Sequence, residues 1–179
     1  MKIELAKETK KGLKLGINIP GFLAAILGSI SMFFPWWHFG IEIANNGPSE
    51  IYPYLILGAA SNMVGYKRSP TMMILTILII ICILFILISS LIKSKVTIGL
   101  MAGSGVLILL ACWRFYERMK SVSEGYNMPV QGLGTADYGG LAIYVVHNWF
   151  QPGIYLAGAA AILAIISAIF YSKIWIGRK

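Results

Sequence analysis

The chain contains two histidines, His38 and His147, and these are the side chains best suited to hold a ligand. His38 follows the first long apolar run and His147 precedes the last, which sets both at similar depth near one membrane surface. Two imidazoles so placed can act as axial ligands of a haem, or as part of a copper or zinc site that Glu42, Glu117 or Asp137 would complete. The plain alternative is a pair of interfacial histidines hydrogen-bonded beside tryptophan rings, since no metal-ligand spacing motif accompanies them.

Other chemistry is sparse. Cys82 and Cys112 fall inside apolar runs, lack the CxxC spacing of redox or zinc motifs, and read as small apolar fillers. The sequence holds no HExxH, Walker loop, GxGxxG, Ser-His-Asp order or paired-carboxylate constellation, so no catalytic residue is assigned. No Asn is followed two residues on by Ser or Thr, and Lys67-Arg68 is too short a basic run for nucleic acid.

The elements that must position the histidines are membrane helices. Hydrophobic residues make up 58% of the 179 residues and charged residues 12%, more apolar surface than a soluble domain of this size can bury. Four runs are long enough to cross a hydrocarbon core about 30 Å thick: 15–37, 71–92, 96–116 and 151–175. None carries an ionisable residue in its middle, which argues against an ion pump or a proton-coupled carrier acting alone. The first run ends in Phe34-Pro35-Trp36-Trp37-His38 rather than at a small-residue cleavage site, and reads as an uncleaved span.

The net charge of +8 sorts by side. The N-terminal segment, the turn between the second and third runs and the C-terminus together carry ten basic and two acidic residues, whereas the opposite side, the loops 38–70 and 117–150 with Arg114 at the end of the third run, carries five of each. The positive-inside rule then puts both termini in the cytoplasm of a multi-pass cell-membrane protein, with two neutral loops outside. The basic stretch Met1–Gly16 serves topogenesis or lies along anionic headgroups.

Small residues mark where helices can approach in lipid. Gly21, Ala25 and Ser29 recur at spacing four in the first run, Gly99 and Gly103 form a GxxxG pair in the third, and Ala160, Ala164 and Ala168 align in the fourth. These predict close packing of the first, third and fourth spans, with a dimer interface as the second use of GxxxG. The bulky second run, nearly pure Ile and Leu, then shows a larger face to lipid or to a partner.

In the outer loops, 39–44 and 50–57 read as strands about the turn Asn45-Asn46-Gly47-Pro48, with Pro53 demoting the second towards an edge. Gly132, Gly134, Gly139 and Gly140 break the second loop, and 141–146 reads as a third strand. The third span can continue outward as a helix through Arg114, Arg118 and Met119. Trp36, Trp37, Trp113 and Trp149 form an outer aromatic rim, either a headgroup belt or a docking surface for a lipid, a quinone or another subunit.

Four spans, cytoplasmic termini, a short turn between the second and third spans, a first outer loop built from strands and a Trp just after the first span resemble the claudin/PMP22-type tetraspan layout. Trp36 or Trp37 matches the early Trp, while the loop has neither the family's Gly-Leu-Trp nor its two cysteines. The resemblance implies a shape, and an adhesive role by analogy.

The expected fold is a single domain over 1–179: an all-α integral membrane four-helix bundle with a small extracytoplasmic β-structure. The expected function is non-catalytic assembly, as an accessory subunit of a larger membrane complex or a cell-surface contact protein in contact with lipid, other membrane subunits or itself. The alternative is a quinone-, lipid- or haem-binding subunit of a redox complex that uses His38 and His147. A weaker third reading is a membrane enzyme whose outer loops use Glu or Asp on a lipid-linked substrate.

Overall fold

The computed structural model describes residues 17–41, 49–58, 61, 67–92, 94–137 and 143–176. Four helices of more than ten residues lie among them: α1 (Ile19–Ser31), α2 (Pro70–Leu91), α3 (Lys95–Gly125) and α4 (Pro152–Ile176). Five strands complete the described fold: β1 (Trp37–Ile41), β2 (Ser49–Ile51), β3 (Ile56–Leu57), β4 (Gly132–Asp137) and β5 (Ile143–Phe150). The basic N-terminal segment, Glu42, the Asn45–Pro48 turn, Gly139 and Gly140 lie outside the described residues.

Three of the helices, α2, α3 and α4, are long and apolar enough to cross a membrane, and α1 is a shorter apolar helix. Within the expected 15–37 run the helix itself occupies only Ile19–Ser31. Asn18 caps the N-terminus of α1, its side-chain oxygen accepting from the Gly21 amide at 3.2 Å. At the other end the helix stops at Ser31, and Trp37 already belongs to β1. Thirteen residues rise about 20 Å, short of the hydrocarbon thickness of about 30 Å. The apolar pattern runs on past the helix because Trp36 and Trp37 are buried by the sheet.

The other helix boundaries follow local chemistry. Pro70 opens α2, where its missing N–H costs nothing. Ser94 and Thr97 form a capping box at the start of α3. α3 outruns the expected 96–116 and continues through Arg114, Arg118 and Met119, as the sequence allowed. It ends where Asn127 takes a positive φ of 50°, with Met128 N–H donating to Ser123 O at 2.9 Å and Asn127 N–H to Glu124 O at 3.2 Å. That is a Schellman ending with Asn in the usual place of glycine.

The helices pack in the cyclic order α1-α2-α3-α4, with α4 also against α1. Small residues carry the α1–α4–α3 contacts. Gly21 sits under Met101, Gly28 under Ile83 and Ala160, and a Cβ on Gly105 would lie 2.8 Å from Ala161 O. Ala25, Ala160, Ala164 and Ala168 are buried as expected. Ser29 is not: it faces outward and donates back to Ala25 O at 2.9 Å, and Gly28 takes its place in the interface. Gly99 and Gly103 are likewise exposed, with nothing within 4 Å of an added Cβ, so the intramolecular contact expected of the GxxxG pair is made by Gly105 instead. α2 shows ten large apolar side chains outward, from Met73 to Leu91, in keeping with its bulky composition.

The strands form one antiparallel sheet in the order β3-β2-β1-β5-β4, set on the end of the bundle where α1 ends and α2 and α4 begin. The expected 50–57 strand is split into β2 and β3 by a turn through Pro53. The described part of the expected 39–44 strand, 39–41, lies in β1, which starts earlier at Trp37, and the described part of the expected 141–146 strand, 143–146, lies in β5, which runs on to Phe150. β4 replaces the break read from Gly132 and Gly134. Gly134 is needed there for close approach, since a Cβ would lie 2.5 Å from the Pro129 ring.

Candidate functional site

Register gives the sheet two unlike faces, because directly paired residues of antiparallel strands point the same way. Trp37 pairs with Ile51 and Phe150, Phe39 with Ser49 and Asn148, and Ile41 with Val146. Of these, Trp37, Phe39, Ser49, Ile51, Val146 and Asn148 are buried towards the bundle. His38 pairs with Glu50 on one side and Trp149 on the other, and His147 pairs with Gly40 and Leu133. Together with Leu57, Thr135 and Val145 these form the opposite face, where Leu133 is 64% and Trp149 43% exposed.

The two tryptophans after α1 are thus separated from the rim. Trp36 is 0% and Trp37 1% exposed, so both belong to the joint between sheet and bundle rather than to an aromatic belt. Trp36 Nε1–H donates to Ser31 O at 3.1 Å, and its indole stands edge-on to Phe115 of α3 with centroids 5.2 Å apart. Trp37 Nε1–H donates to Val130 O at 3.0 Å, and its ring stacks on Phe39. Trp113, at 61% exposed, and Trp149 remain as outward tryptophans.

Each neighbouring element braces the inner face. Thr76 Oγ1 of α2 donates to Pro53 O at 2.8 Å and holds the β2–β3 turn. Tyr116 of α3 stacks on Phe150, with centroids 5.5 Å apart. At the start of α4, Gly153 N–H donates to Pro35 O at 3.1 Å, and Gln151 N–H to Trp36 O at 3.1 Å. Asn148 Nδ2 donates to Pro129 O at 2.6 Å, while its Oδ1 is buried with no hydrogen-bond partner.

The structure brings His38 and His147 together on adjacent strands of the outward face, both half-buried. Gly40 lies between them: a Cβ there would be 3.4 Å from His38 Nε2 and 3.7 Å from His147 Cβ. The His38 ring therefore leans along β1 over Gly40 towards His147. Glu50, across from His38 on β2, accepts from Tyr52 Oη at 3.0 Å. Burial, and then this carboxylate, push the Tyr52 phenol above the ordinary tyrosine value. Of the three acidic residues considered beside the histidines, Glu42 lies outside the described residues, Glu117 is on α3, and Asp137 ends β4. Among the described residues no three of His, Cys, Asp and Glu come together as a metal cluster. Cys82 is buried in α2, and Cys112, half-buried in α3, is free like it.

Asn18, for which the sequence suggests no role, links several helices through its backbone and side chain. Its N–H donates to Ser90 O of α2 at 2.7 Å, its Oδ1 accepts from Ser167 Oγ of α4 at 2.9 Å, and its Nδ2 faces Met101 Sδ of α3 at 3.7 Å. One buried amide touches all four helices at the end remote from the sheet. The available signal was an Asn two residues before Pro20 at the head of an apolar run.

No protein-family model matches the chain, and comparison with curated proteins returns no match.

Proposed function

We propose that the chain is a non-catalytic membrane protein that acts in assembly, as an accessory subunit of a larger membrane complex or a cell-surface contact protein. In this reading the 15–37 run, with α1 inside it, and the helices α2, α3 and α4 are its four spans, both termini are cytoplasmic, and the sheet is a rigid extracytoplasmic contact surface. One observation carries it: the sheet has a finished inner face and an unfinished outer one. The inner face is held by Trp36, Trp37, Phe39 and Val146 against α2, α3 and α4, while the outer face exposes Leu57, Leu133, Val145 and Trp149. A grouped set of outward apolar side chains on a braced platform suits a protein partner better than a catalytic role.

The claudin/PMP22-type layout supports the same reading: β1, β2 and β3 come from the first loop, and Trp36 follows α1. Absence of ionisable residues from the helix middles supports a role without ion transport. Co-purification from native membranes after cross-linking tests the proposal. A discrete assembly retained through detergent extraction supports it, and a lone monomer under the same conditions overturns it.

The second reading, a lipid-, quinone- or haem-binding subunit, is favoured by one observation, that His38, Trp149 and His147 share a face. Axial haem ligands must approach from opposite sides of the ring. Neighbouring imidazoles leaving one sheet face suit a headgroup or quinone oxygen better. Absorbance of the purified protein in the Soret region separates the haem form of this reading from the first.

A further inference from the structure

The geometry points to a binding site for a late first-row divalent cation, Zn²⁺ or Cu²⁺, formed by His38 and His147 across the β1–β5 pair. The site stands whether or not the outer face is a contact surface.

Three placements carry it. First, register sets the two histidines diagonally on adjacent antiparallel strands, with Gly40 directly opposite His147 and Trp149 directly opposite His38. Diagonal neighbours on one face lie within reach of long side chains. Second, the slot between them is left open by glycine. A Cβ on Gly40 would stand 3.4 Å from His38 Nε2 and 3.7 Å from His147 Cβ, so any larger side chain would occupy the space into which His38 leans. Third, Glu50 stands across from His38 on the other neighbouring strand and puts a negative charge on the same face, which favours a cation there.

Imidazole nitrogen is the ligand type that Zn²⁺ and Cu²⁺ favour, whereas Mg²⁺ and Ca²⁺ demand oxygen donors. Two protein ligands leave the remaining coordination positions to water. The ion is therefore exchangeable and accessible from the outward face, unlike a closed structural site.

The test uses the full-length chain without an affinity tag, purified in detergent, and titrates Zn²⁺ by equilibrium dialysis and Cu²⁺ by electron paramagnetic resonance. The expected result is one ion per chain, with nitrogen hyperfine structure in the Cu²⁺ spectrum. H38A and H147A should each weaken binding by about tenfold or more, the range set by disturbing a metal-site histidine. G40V, which fills the slot while both histidines are retained, should weaken it as well. Thermal melting without metal should show a single cooperative transition in all three variants, so that a loss of binding is not a loss of fold. Binding that persists in the H38A/H147A double variant, or a wild-type chain that binds neither ion, overturns the assignment.

Discussion

The Trp36 indole meets the Phe115 ring edge-on, their centroids 5.2 Å apart and their planes at 73°. Through this contact the segment leaving α1 rests on the outward extension of α3, and the sheet is fixed to the bundle rather than hung from it. Replacing Trp36 by Ala removes a fully buried ring and its hydrogen bond to Ser31 O. A loss of about 3–5 kcal/mol is expected, read as a lowered unfolding midpoint. Trp113→Ala, at an outward position, should leave the midpoint nearly unchanged.

Glycine positions give a second contrast. A Cβ on Gly153 would run into Trp36 Cδ1 and lie 2.6 Å from Phe34 O, whereas one on Gly99 meets nothing within 4 Å. Gly153→Ala should cost about 1–3 kcal/mol through displaced backbone. Gly99→Ala should be neutral for the monomer or slightly stabilising, because alanine is the better helix former. Parallel thermal scans of the two variants check this. If Gly99→Ala weakens self-association while leaving the melting of the monomer alone, the GxxxG pair serves a dimer.

These glycines also show how far the sequence could be read. Helices α2 and α4 were legible because Pro70 and Pro152 open uninterrupted apolar runs. Both ends of α1 were not, since Leu15 and Trp37 look like a continuing span. Pro35 carried the signal for the far end, because a residue before proline is pushed out of the helical region. β4 was read as a break because Gly132 and Gly134 weaken a strand on paper, whereas Gly134 is there to admit the Pro129 ring. That His38 and His147 share one face of the sheet was not legible for a different reason. Which face each occupies depends on the β1–β5 register, and a one-residue slip would have put them on opposite sides.

Asn18 should behave as a structural clasp. Asn18→Ala removes the cap on Gly21 and leaves Ser167 Oγ without its acceptor. A loss of about 1–2 kcal/mol is expected from the cap and the interhelical bond together. Ser167→Ala alone should cost less, since the cap survives. Chemical unfolding in mixed micelles would rank the two.

The phenol of Tyr52 ionises above the ordinary value, first because of burial and then because Glu50 accepts its proton. The folded state holds that proton longer than the unfolded chain. Its contribution to stability is therefore full below the unfolded value and falls as pH rises through the folded one. In an alkaline titration followed by tyrosinate absorbance, Tyr52→Phe should remove a late-titrating component. Glu50→Gln should move that component to lower pH without removing it.

The central claim is that the outward face of the sheet is a contact surface presented outside the membrane. Photo-cross-linking in native membranes, with the reactive residue placed at Leu133 or Trp149 on that face and at Val146 on the inner one, tests it most directly. The account predicts discrete intermolecular adducts from positions 133 and 149 and none from 146. Monomer alone from both outward positions, with the protein folded and in the membrane, would contradict it.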